Sequence, residues 1–150
     1  MLLRKPLSDD DGSASLEFVA LGTLLLVPLV YLVIALSVIQ SQSLGAESAA
    51  RHIARAIASA ESAADVDTRT QAVLDATVSE YGIDKQSLTV DVQCTPALSP
   101  CPAAGATVLV SVRIAVPLPM APALPGLEGF ARVPVEATAV QKVSRFWGEG

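Results

Sequence analysis

From Phe18 to Ile39 the chain reads FVALGTLLLVPLVYLVIALSVI, an apolar run without one charged side chain. At about 1.5 Å rise per residue it reaches roughly the 30 Å hydrocarbon thickness of a bilayer, which predicts a spanning helix. Gly22 and Pro28 weaken an isolated helix but are tolerated inside a packed span. A cleaved secretory signal competes with this reading. Arg4 and Lys5 would be its basic region, and Ala35-Leu36-Ser37 or Ser41-Gln42-Ser43 its small-x-small cut. A signal's apolar core is about 7 to 15 residues, and the first of those sites falls inside the run, so an uncleaved span is expected.

Beyond the run the pattern changes without leaving helix. Between Leu44 and Ala64 the positions Ala46, Ala50, Ile53, Ile57, Ala60 and Ala64 recur every three or four residues and line one narrow stripe of small side chains. Arg51 and Arg55 lie off that stripe, and Glu47 precedes Arg51 by one turn in the favourable order for a helix ion pair. Gly45 and the polar Gln40 to Ser43 stretch weaken the join but force no break. One helix of about 45 residues is predicted, apolar first and amphipathic later, with the stripe packing onto the chain's own domain. A second helix is expected from Asp67 to Tyr81, with Asp65 or Asp67 as N-cap, Leu74, Val78 and Tyr81 on one face, and Gly82 as the stop.

The period then becomes two. Leu88, Val90, Val92 and Cys94 alternate with Thr89, Asp91 and Gln93, and through Thr107 to Val116 the residues Val108, Val110, Val112, Ile114 and Val116 share one side with Leu109, Ser111, Arg113 and Ala115 opposite. These two runs predict an antiparallel hairpin. A third strand runs from Ala131 to Val140. Its Pro134 cannot donate to a ladder, so the strand is an edge or is unpaired in its first half. The four-proline segment Pro117 to Gly129 reads as a loop, with Leu118, Met120, Leu124 and Leu127 either tucked under the sheet or free for a partner or membrane contact. The predicted class is therefore α+β: a long N-terminal transmembrane-then-amphipathic helix, a shorter helix, and an antiparallel sheet of about three strands. The boundaries drawn are 1–12 for a leader, 13–43 for the span and its polar exit, and 44–150 for the folded domain.

Composition narrows the function. A 150-residue chain leaves room for one domain, and the formal net charge of −5 with scattered Lys and Arg argues against a nucleic-acid partner. The two cysteines, Cys94 and Cys101, flank a bent segment containing Pro96 and Pro100. A disulfide there would place the domain in an oxidising, extracytoplasmic compartment. Two unrelated buried thiols are the alternative. A zinc site would need more ligands than two cysteines and the distant His52. Basic residues do not settle orientation, because Arg4 and Lys5 on one side of the run balance Arg51 and Arg55 on the other. No spacing supplies nucleophile, base and oxyanion donors, and there is no phosphate loop, HExxH, CxxC or acidic calcium loop. His52 reads as a solvated helix-face residue. We therefore expect no enzyme, no metal or other cofactor, and no small-molecule substrate.

Glu17 stands apart from this account, since a carboxylate drawn into lipid unpaired costs a few kcal/mol. One explanation is a position at the cytoplasmic edge, where a helix N-terminus favours negative charge. Its neighbours suggest another. Gly12-Ser13-Ala14-Ser15-Leu16-Glu17-Phe18, set just ahead of the apolar run, resembles the processing site of type IV pilin-like proteins, and most closely that of the TadE-like pseudopilins of the tight-adherence (Tad) pilus machinery. The resemblance implies a leader cut after Gly12 on the cytoplasmic side by a prepilin peptidase, leaving Ser13 as the new amino terminus. It implies that Glu17 neutralises the amino terminus of a neighbouring subunit, opposite charges attracting strongly where the dielectric is low. Phe18 matches the aromatic that often follows this glutamate, while the acidic Asp9 to Asp11 run stands where such leaders more usually carry basic residues. The implied partners are the membrane, other pilin-like subunits and the pilus assembly platform. The implied role is that of a minor, assembly-related component, with its N-terminus cytoplasmic and its C-terminal domain outside. Two rivals remain: a membrane-anchored extracytoplasmic binding module without pilin processing, and a soluble domain released beyond the apolar run.

Overall fold

The computed structural model describes residues 13–97, 101–119 and 131–147. The chain is α+β. Helix α1 (Ser13–Ala58) is followed by α2 (Ala63–Tyr81), a 3₁₀ turn at Lys85–Ser87, and strands β1 (Leu88–Thr95), β2 (Thr107–Pro117) and β3 (Arg132–Lys142). Its contacts divide it after Leu36 into two compact units. The more C-terminal unit begins at Ser37.

In the first unit α1 continues through Gly22 and Pro28. Its large apolar side chains are bare, from 42% exposed at Ile34 to 78% at Phe18. A water-facing surface seldom carries so long a continuous apolar strip, so this helix needs a lipid or protein cover. Among the described residues it is one helix long and apolar enough to cross a membrane.

In the second unit the rest of α1 supplies one wall of the core. Ala46, Ala50, Ile53 and Ile57 are buried as their spacing predicts, and Ala49 and Ala54 join them, so the stripe is wider than the single row. The helix stops at Ala58, short of the expected Ala64, which instead lies exposed in α2. Ala60, just past the helix end, remains buried. The cap of α2 also differs from expectation. Ser62 is the N-cap, and its Oγ accepts the Asp65 N–H at 3.2 Å. Asp65 reaches back to accept the Glu61 N–H at 3.1 Å, a close variant of the reciprocal capping box. Asp65 also accepts from Arg69 Nε at 2.8 Å, and the two hydrogen bonds, Arg69's first, hold its carboxyl below the usual carboxylate range. At the other end Gly82 takes the left-handed conformation, φ 61°, and its N–H closes on the Val78 carbonyl.

The sheet has order β1-β2-β3, antiparallel throughout. Val108, Val110, Val112, Ile114 and Val116 of the central strand are at most 1% exposed and face the α1 stripe and Ile83 within one core. Ser111 on the opposite face is also buried, as befits the middle of a central strand between Asp91 and Thr138. β3 is an edge strand and pairs along its whole length, with Pro134 opposite Ala115. Its missing N–H therefore falls where no ladder is broken. Val92 in β1 is 38% exposed, because β1 is also an edge. Beyond Pro117 the chain returns by a hydrogen bond from the Leu118 N–H to the Ala131 carbonyl at 2.9 Å. The expected packing of Met120, Leu124 and Leu127 lies outside the described residues.

Candidate assembly site

Of the N-terminal motif, Gly12 lies outside the described residues and Ser13 opens α1. Glu17 and Phe18 both project from α1 into open space, Phe18 at 78% exposure. Glu17 makes no ion pair among the described residues. The first turn of α1 holds no acidic residue, and Glu17 stands beyond it. A favourable interaction with the helix terminus fades within that turn, so it accounts for little of this carboxylate's placement. Glu17 is thus a charged acceptor at the edge of a bare apolar helix. Such a group can take a cation or a hydrogen-bond donor from another molecule at the moment both are desolvated.

Cys94 and Cys101 are bonded to each other, with Cα atoms 5.9 Å apart, and among the described residues no cysteine is free. The reading of two unrelated thiols is thereby set aside. Cys94 lies in β1 opposite Val108, so the bond ties down the connection that leads toward β2. The peptide bonds Thr95–Pro96 and Cys101–Pro102 are cis. Residues 98–100, including Pro100, lie outside the described residues. His52 is exposed on α1. Among the described residues no three His, Cys, Asp or Glu side chains gather as metal ligands.

Two features escaped sequence reasoning. The sequence marks Gly45 only as a weak point of the helix, yet a Cβ built there would lie 2.9 Å from Tyr81 Cγ. It marks the place where α2's last residue presses on α1. An isolated glycine in an alanine-rich helix is the signal that points to such a close approach. The second is the side of α1 that borders β3, where Glu47 and Arg51 share a shallow groove with residues 136–140. Arg51 Nη2 and Glu47 Oε2 stand 2.7 Å apart there, as their spacing predicts. No family model, curated protein or solved structure matches this chain.

Proposed function

We propose that the chain is a TadE-like minor pilin or pseudopilin, a structural component in the assembly of a Tad-type pilus and not an enzyme. The observation that carries this reading is α1: one helix, bare and apolar around Glu17 and Phe18, whose later residues form the core wall of a disulfide-tied α+β unit. That is the build of a subunit held in the membrane by its N-terminal helix until it is passed to a neighbour. In this scheme a prepilin peptidase cuts after Gly12, and Ser13 becomes a charged amino terminus. Glu17 of one subunit then neutralises the terminus of the next, so that a carboxylate costly in lipid becomes a paired one on assembly. The Cys94–Cys101 bond supports an oxidising compartment for the folded unit, hence a cytoplasmic leader and an extracytoplasmic domain.

The mature N-terminus, read by mass spectrometry from membranes of cells carrying the cognate peptidase, tests the processing step. A start at Ser13 is expected. An intact Met1 would favour an anchored binding module, and a start at Val38 or beyond would mean a cleaved signal. Glu17→Ala is expected to insert normally and to lose association with other pilin-like subunits, and retained association would remove Glu17 from the mechanism.

A further inference from the structure

The end of the apolar run falls inside the folded unit. Ser37, Val38 and Ile39 close that run, yet they belong to the unit that holds the sheet, and Val38 and Ile39 pack against its core. Their level within the unit therefore marks where hydrocarbon gives way to lipid headgroups.

One end of the sheet stands at the same level. α1 runs beside β3 in the same direction: Glu47 and Arg51 border residues 136–140, and Ala58 to Glu61 border Ser144, Phe146 and Trp147. Arg132 precedes Thr138 by about 20 Å of strand at about 3.3 Å per residue. Val38 precedes the middle of Glu47 to Arg51 by about 16 Å of helix at about 1.5 Å per residue. The end of β2 and the start of β3, where Pro117 pairs with Arg132 and the Leu118 N–H reaches the Ala131 carbonyl, thus come level with the last residues of the run. Arg145 belongs to the opposite end, beside Ala58, about 30 Å of helix beyond Val38.

The chemistry at the near end suits a lipid neighbour. Pro117 and Arg132 are exposed, and Leu118, Ala131 and Val133 are half-buried. Arg132 makes no ion pair among the described residues, whereas Arg113, farther from this end, meets Glu136 at 3.0 Å. The sequence that leaves at Leu118 and returns at Ala131 contains Met120, Leu124, Leu127 and Phe130 against a single charge, Glu128. Water is a poor neighbour for so apolar a stretch, and the bilayer is already held at this level by α1.

We propose that this end of the sheet is a lipid-binding surface: Pro117, Leu118 and Val133 rest among the headgroups of the leaflet from which α1 emerges, and the Arg132 guanidinium takes a lipid phosphodiester. A planar guanidinium matches the phosphate oxygens with two parallel N–H donors, and the apolar neighbours exclude water from that pair. The contact is a second hold on the membrane beside the span, and it sets the folded unit against the bilayer with the same face down in every copy. It rests on the reading of α1 as a membrane span and does not depend on Glu17 or on cleavage after Gly12.

The test uses the full chain in nanodiscs of phosphatidylethanolamine and phosphatidylglycerol, with the Cys94–Cys101 bond closed. Nitroxide labels are placed on one introduced cysteine at a time, Val30→Cys, Pro117→Cys or Arg145→Cys, and collisions with oxygen and with a water-soluble nickel chelate report depth. The Val30 label should lie in hydrocarbon, the Pro117 label within about 5–10 Å of the headgroup boundary, and the Arg145 label in water. On the wild type, a phospholipid with a photoreactive headgroup should crosslink to residues 117–118 and 131–133 and not to 142–147. Arg132→Glu should cut that crosslinking on the order of fivefold, and Arg132→Lys should spare it. A Pro117 label as wet as the Arg145 label, crosslinks spread evenly over both ends, or Arg132→Glu crosslinking like the wild type overturns the proposal. A Val30 label in water overturns the spanning reading together with it, whereas a chain left uncleaved at Gly12 would remove the pilin processing step and leave this contact standing.

Discussion

Gly45→Ala sets two opposing effects against each other at one position. In a helix, alanine is favoured over glycine by about 0.5–1 kcal/mol, so on propensity alone the substitution stabilises. The new Cβ, however, would stand 2.9 Å from Tyr81 Cγ, 3.1 Å from Tyr81 Cβ and 3.1 Å from Ile83 Cδ1. The two Tyr81 atoms are the stem of the side chain, and Tyr81 is followed by the left-handed cap at Gly82 and by buried Ile83. Neither stem atom can retreat unless the end of α2 moves. Overpacking of this kind costs about 1–3 kcal/mol, which exceeds the propensity gain. We expect a net loss of roughly 0.5–2 kcal/mol, a fall of several degrees in the unfolding midpoint of a domain this size. The assay is near-UV circular dichroism during thermal and urea unfolding of the full chain in micelles. In a Tyr81→Ala background the 2.9 Å contact with Cγ is gone while Cβ and Ile83 Cδ1 remain at 3.1 Å, so the cost of Gly45→Ala should shrink. A stabilised Gly45→Ala in the wild-type background, or an undiminished loss in the Tyr81→Ala background, would refute the reasoning. Gly22, with nothing within 4 Å of a built Cβ, is the matched control and should tolerate alanine.

Ile53→Ala removes a side chain with 0% exposure from the wall between α1 and the sheet, and should cost about 2–5 kcal/mol in urea unfolding. Replacing Cys94 and Cys101 with alanine should cost about 2–3 kcal/mol by the chain-entropy model, seen as a lower midpoint that reducing agent no longer shifts. The Asp65 carboxyl is held below its ordinary range, chiefly by Arg69. Its contribution is therefore complete above the unfolded carboxylate value near 4 and is lost as pH falls through the lower folded value. Amide exchange at the start of α2 should accelerate over that acid window, and Asp65→Asn should abolish the dependence.

Where periodicity was strong, the chain was legible in advance. The alternation from Val108 to Val116 and the heptad-like recurrence from Ala46 to Ile57 each name one buried face, and those faces meet. Pro134 announced an edge because a residue without an N–H can be spared only there. Harder to read was the end of α1. Ala60 and Ala64 extend the stripe in sequence, but Ser62 offers its hydroxyl to Asp65 and starts a new helix instead. Local side-chain competition for backbone donors decides such a boundary, and a hydrophobic pattern does not register it. Gly45 is opaque in the sequence for a related reason: a glycine's meaning depends on what approaches it, and Tyr81 lies far along the chain. The reading of Gly12 to Phe18 rests on resemblance alone, since among the described residues Glu17 makes no ion pair that would single it out.

The core stripe of α1 is also a constraint on the order of events during synthesis. Ala46 to Ile57 leave the ribosome early, whereas the side chains that cover them sit in β2 and β3 and finish with Val143, whose N–H closes on the Ala106 carbonyl at 2.8 Å. A nascent chain that ends before Thr107 has its helix but not its sheet, and exposes that apolar row to whatever surrounds it. Closure of the unit depends on contacts far apart in sequence, which are slow to form and prone to misassociation while they wait. Truncation within β3 should therefore give a chain that is made but degraded or aggregated, rather than a smaller folded subunit.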